Sequence, residues 1–188
     1  MERFLNIFQP EELTGTIKRL ARQQLLEDMW IADGFELTGT SFDMLKYFIR
    51  DPEKCSRYES SFLLFAQATH SGSIYAFYKK SGLKNCDEWP VIVLGDEGGV
   101  LVLAENIFGA MRFWTLNSVQ PYVSGLDLSF DLFHSDDEII PSNESYKKWI
   151  RKEFDLDPIL NIAQAEKDII KPAFDKYQQE LTQIFEDQ

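Results

Sequence analysis

The sequence predicts an α+β fold, a central and mostly antiparallel sheet flanked by helices, with a helical C-terminal extension. Three observations carry this. Four apolar segments between residues 61 and 104 are rich in Val, Ile and aromatic residues, the composition of strands. Glycine-bearing turns, His70-Ser71-Gly72 and Gly95-Asp96-Glu97-Gly98-Gly99, join these segments into two adjacent hairpins, which favours antiparallel pairing. The chain on either side shows apolar residues at helical spacing.

Taken in order, Pro10, Glu11 and Glu12 suit a helix start. Ile17, Leu20, Ala21, Leu25 and Met29 continue the pattern, so the spacing predicts a helix from Pro10 to about Ala32, stopped at Gly34. Ser41 can cap a second helix through Arg50, with Phe42, Leu45, Phe48 and Ile49 on one face and Asp51-Pro52 ending it. Strands follow at Ser61–Ala68, Ser73–Lys79, Trp89–Leu94 and Val100–Ala104. Bulky residues on both faces of these strands imply helices on at least one side.

Helix resumes over Ile107–Leu116. Pro121–Ser142 reads as irregular or part-helical. Asn143 is placed to cap a helix through Phe154, and Asp157-Pro158 to open another. That last helix carries Ile159, Ile162, Ala163, Ile169, Ile170, Phe174, Tyr177, Leu181 and Phe185, with a kink or break at Pro172. There is no repeat, low-complexity tract or Gly/Ser linker, so residues 1–188 read as one domain.

The net charge of −12 is unevenly spread. Residues 113–146 hold six acids and no Lys or Arg, half of the excess. Such a field repels nucleic acid and anionic membranes and favours basic partners. The two cysteines, Cys55 and Cys86, lack the density of a disulfide-held secreted domain. The first ten residues do not form a secretory signal, and the longest apolar runs are far too short to span a membrane. A cytoplasmic protein with reduced thiols is expected, which makes the Asn143-Glu144-Ser145 sequon a chance match.

No motif assigns a catalytic, cofactor-binding or metal-binding residue. His70 and His134 sit in no recognisable catalytic motif. The Gly95–Gly99 run is followed by strand-like residues and carries Asp96 and Glu97, which would repel phosphate, so it reads as a hairpin turn. Asp127, Asp131, His134, Asp136, Asp137 and Glu138 have the chemistry of a divalent-metal or acid/base cluster, without EF-hand spacing. A partner-binding reading uses Asp127, Phe130, Asp131, Phe133, Asp136, Asp137 and Glu138: acids steer a basic partner and aromatics anchor it. The alternative is that the apolar members cover the sheet while the acids face water.

The hairpin region also resembles a known family. Gly72-Ser73-Ile74-Tyr75-Ala76-Phe77, Trp89-Pro90-Val91-Ile92-Val93-Leu94-Gly95-Asp96-Glu97-Gly98-Gly99 and Val102-Leu103-Ala104-Glu105-Asn106-Ile107 are similar to the SUKH superfamily, the Smi/Knr-like proteins. The resemblance covers residues 59–118. The acidic segment 119–142 and the helical tail 143–188 have no counterpart in it. It implies a SUKH-like α+β domain whose shared residues are scaffold, with no catalytic role to transfer. For bacterial members it implies an immunity protein that neutralises a cognate nuclease or deaminase toxin by direct binding. Two other functions stay open: a regulatory scaffold without a toxin, as fungal members suggest, and a metal-dependent hydrolase using the 127–138 carboxylates.

Overall fold

A computed structural model describes residues 1–39, 44–49, 51–124, 127–131 and 140–185, with backbone alone for 124 and 127–131. The expected α+β architecture is present. Strands β1 (Glu36–Leu37), β2 (Phe62–Gln67), β3 (Ile74–Tyr78), β4 (Val91–Leu94) and β5 (Val100–Ala104) form one sheet in that order, every neighbouring pair antiparallel. The Gly95–Gly99 run is the β4–β5 turn, with Gly98 and Gly99 at φ +97° and +95°. β1 is an edge strand that the pattern did not foretell.

Side chains alternate across this sheet, and both faces are buried. Tyr75, Phe77, Val91, Val93, Leu101 and Leu103 enter one core, while Ile74, Ala76, Tyr78, Ile92, Leu94 and Val102 enter the other. This is why the strands read as continuous apolar runs. A bulge between Leu64 and Ala66 keeps Phe65 and Ala66 on the first side.

The helices explain the two cores. On the first side lie α1 (Glu2–Leu5) and α2 (Gly15–Leu25). α2 starts later than expected because Thr14 caps it, its Oγ1 accepting from Ile17 N at 3.3 Å. It stops at Leu25, seven residues early, since Asp28 turns left-handed at φ 52° and Met29 N bonds back to Gln23 O. The second side holds α3 (Leu45–Phe48) and α4 (Pro52–Tyr58). Ser41 and Arg50, the expected ends of one helix, lie outside the described residues. Asp51-Pro52 opens a helix here and does not merely end one: the Asp51 carboxylate accepts from Glu53 N and Lys54 N.

After the sheet, α5 (Ile107–Phe113) continues into a 3-10 turn to Leu116, matching the expected helix. Pro121–Ser142 corrects the irregular or part-helical reading: β6 (Gln120–Ser124) and β7 (Asp127–Asp131) pair as an antiparallel hairpin. Gly95 is what lets this hairpin seat, because a Cβ there would stand 2.4 Å from Val123 O.

α6 (Glu144–Phe154) follows as expected, but Asn143 does not cap it with its side chain. Its Nδ2 donates to Ile31 O and Trp114 O, tying three parts of the first core. Asp157-Pro158 opens no helix. α7 (Ile162–Ala165) begins later, capped by Asn161 Oδ1 accepting from Gln164 N. Glu166–Ile170 is a π-helical stretch leading into α8 (Lys171–Phe185), so helix runs through Pro172. The widened stretch contains Asp168, whose carbonyl the proline ring would otherwise crowd.

Both sheet edges are closed by a glutamine side chain. Gln178 Nε2 donates to Val100 O at 2.8 Å and its Oε1 accepts from Val102 N at 2.9 Å. On β1, Gln24 Nε2 donates to Phe35 O at 3.1 Å and its Oε1 accepts from Leu37 N at 2.7 Å. Each amide supplies the donor and acceptor that a neighbouring strand would bring.

Candidate functional site

One end of the sheet gathers the β2–β3 turn, the start of β6 and the segment between α2 and β1. Asp33, 8% exposed, sits at the junction. Its Oδ2 accepts from Gln120 Nε2 at 2.5 Å, and its Oδ1 lies 3.0 Å from His70 Nε2. Gln120 Oε1 in turn accepts from His70 N at 3.2 Å. A carboxylate only accepts, so the proton of this imidazole belongs on Nε2. The buried charge is thus held by two side-chain donors, which lowers the cost of its burial. His70 itself remains 63% exposed.

Asn117, at φ 61°, organises the neighbouring wall. Its carbonyl accepts from Asp33 N at 2.8 Å, its Oδ1 accepts from Trp30 Nε1 at 2.9 Å, and its Nδ2 donates to Pro141 O at 3.0 Å. These bonds bring residues 30, 33 and 141 beside one cleft of about 640 Å³. Its apolar lining includes Met29, Trp30, Ile31 and Phe35. Its charged or titratable lining is Asp28, Glu36 and His70, with no Lys or Arg. Asp28 and Glu36 are exposed and have no ion-pair partner among the described residues. A smaller recess of about 300 Å³ beside α5 is different in kind, since its Glu105 is already paired with Lys176.

The residues expected from sequence divide into two groups. Asp127, Phe130 and Asp131 lie on β7, where Asp131 stands opposite Gln120 in register and Asp127 opposite Ser124. Phe133, Asp136, Asp137 and Glu138 lie outside the described residues, as does His134. The described residues on either side of that gap connect to the site differently. Asp131 is the register partner of Gln120, which holds Asp33, and Pro141 lines the cleft. Sequence reasoning missed Asp28, Trp30, Asp33 and Glu36. The run Glu27-Asp28-Met29-Trp30-Ile31-Ala32-Asp33 mixes acids with apolar residues as the later segment does, and it was absorbed into a helix pattern.

Among the described residues no group of three His, Cys, Asp or Glu side chains is placed to hold a metal ion. No described helix is long and apolar enough to cross a membrane. The two thiols are free, and burial pushes the Cys86 thiol well above its ordinary pKa. No protein-family model, no curated protein and no solved structure matches the chain.

Proposed function

We propose that this protein is a SUKH-like binding module of the immunity type, which neutralises a basic toxin domain by covering it. The supporting observation lies at one end of the sheet. Pro141, just past the acidic run, lines the cleft, Asp131 stands in register with Gln120, whose amide holds Asp33 and His70, and the cleft's own carboxylates, Asp28 and Glu36, lack cationic partners among the described residues. An acidic surface with aromatic walls suits a partner whose own site is basic, as a nuclease surface that holds phosphates is. Charge steers the encounter, and desolvated aromatic contacts hold the complex.

The test is affinity capture from lysate of the source cells, secreted proteins included. Wild-type chain is compared with Asp127→Lys/Asp131→Lys and with Asp28→Lys/Glu36→Lys. A basic nuclease or deaminase domain held by wild type alone is the expected result. Kinetics on the captured domain should show slower association and a flatter salt dependence for both variants. Capture that ignores all four changes would remove this surface from the interface. A neighbouring gene encoding a large secreted toxin would favour immunity over a regulatory scaffold.

A further inference from the structure

We propose that the cleft receives a guanidinium, an arginine side chain that the partner inserts between Trp30 and the carboxylates of Asp28 and Glu36. The inference rests on the binding reading above and specifies the chemistry that this surface recognises.

The sheet itself directs recognition toward side chains. A partner adding a strand needs an edge with free backbone groups. At β1 and β5 those groups are held by Gln24 and Gln178, and α2 and α8 lie behind them. With those edge groups occupied, the recess that this end of the five-stranded sheet offers a partner's side chain is the cleft. At about 640 Å³, the cleft has the size of a site that engulfs a ligand group of several heavy atoms.

The lining selects the inserted group. Trp30 is half-buried, and its one polar hydrogen is bonded to Asn117, so it offers the cleft its ring. Asp28 and Glu36 supply negative charge from either end of the α2–β1 connection. Asp33 is unavailable, being engaged by His70 and Gln120. An aromatic ring and two carboxylates lining one cleft favour a flat, weakly hydrated cation that can both stack and bond bidentately. Arginine meets that description better than lysine, whose compact ammonium is strongly hydrated.

The probe is the peptide acetyl-Gly-Arg-Gly-Arg-Gly-amide, titrated into the full chain and followed by NMR at the Trp30 indole N–H and the Leu37 amide. Controls carry citrulline or lysine in place of arginine. Saturable shifts at both reporters are expected with arginine. Binding roughly fivefold weaker is expected with citrulline, and again in Asp28→Asn/Glu36→Gln. Asparagine tolerates the left-handed backbone at position 28, so that variant keeps the fold. Equal binding of the citrulline peptide, or arginine shifts unchanged in the double variant, would overturn the proposal. The two readings separate cleanly. A toxin domain captured equally by wild type and Asp28→Asn/Glu36→Gln leaves the immunity reading standing and removes the arginine site. Arginine-selective binding without any captured toxin does the reverse.

Discussion

Replacing Gln178 tests how the sheet is closed. The side chain is 4% exposed, and its amide holds both Val100 O and Val102 N. Gln178→Leu keeps the volume and leaves those two backbone groups buried without partners. Each costs about 1–3 kcal/mol, and the leucine returns about 1 kcal/mol of apolar burial. The net expectation is a loss of about 3 kcal/mol in urea unfolding, or roughly 6–12 °C in Tm for a chain of this length. Gln178→Glu sharpens the test. The introduced carboxylate can still accept from Val102 N, but it faces Val100 O with a second acceptor and is desolvated. Burial should raise its pKa in the folded state above the unfolded value. A group raised in this way contributes stability below its unfolded pKa and loses it as pH rises through the folded one. The deficit of Gln178→Glu should therefore be smallest near pH 4 and grow toward pH 7, while that of Gln178→Leu stays flat relative to wild type. A Gln178→Leu protein within about 1 kcal/mol of wild type would refute the claim that this amide closes the edge.

Gly95→Ala drives a methyl into Val123 O and should cost about 1–3 kcal/mol, with NMR shifts concentrated in β6, as read by thermal unfolding and amide spectra. Asp33→Ala strips the buried Gln120 amide of its acceptor and should cost about 2 kcal/mol in urea, whereas His70→Ala, at an exposed ring, should cost less than about 1 kcal/mol. Cys86 is fully buried and its thiol is held protonated by desolvation, so a thiol reagent at pH 8 should modify Cys55 first and reach Cys86 only with global unfolding. The backbone N–H groups of Lys54 and Glu53 hold the Asp51 carboxylate below its ordinary range. Its stabilising effect is thus present above that range and fades as pH falls through the lowered value, a dependence that Asp51→Asn should remove from the acid limb of the stability curve.

The four central strands were legible because their signals are local. Val, Ile and aromatic runs end at glycines, and burial on both faces leaves no polar face to mislead. Element ends were less legible where a distant residue decides them. Thr14 starts α2 partly because its hydroxyl also donates to Asp87 Oδ1 at 2.7 Å, a contact across 73 residues. Asn143 looked like a cap, yet its amide is drawn away by Ile31 O and Trp114 O. The β6–β7 hairpin is hidden in the sequence because Pro121 lies inside its first strand. Proline weakens a strand assignment except at positions with no ladder bond to give. At the candidate site, the one link among the described residues between the acidic run and Asp33 is the register pairing of Asp131 with Gln120. The Asp33–His70–Gln120 arrangement joins residues 37 and 87 positions apart, and no spacing rule announces such a meeting.

The most direct measurement is hydrogen–deuterium exchange on the full chain with and without the captured basic domain. Slowed exchange confined to peptides covering residues 24–37, 119–131 and 140–143 is the expected footprint, with α8 unchanged. Protection centred on α3, α4 or α8, on the opposite face of the sheet, would contradict the account.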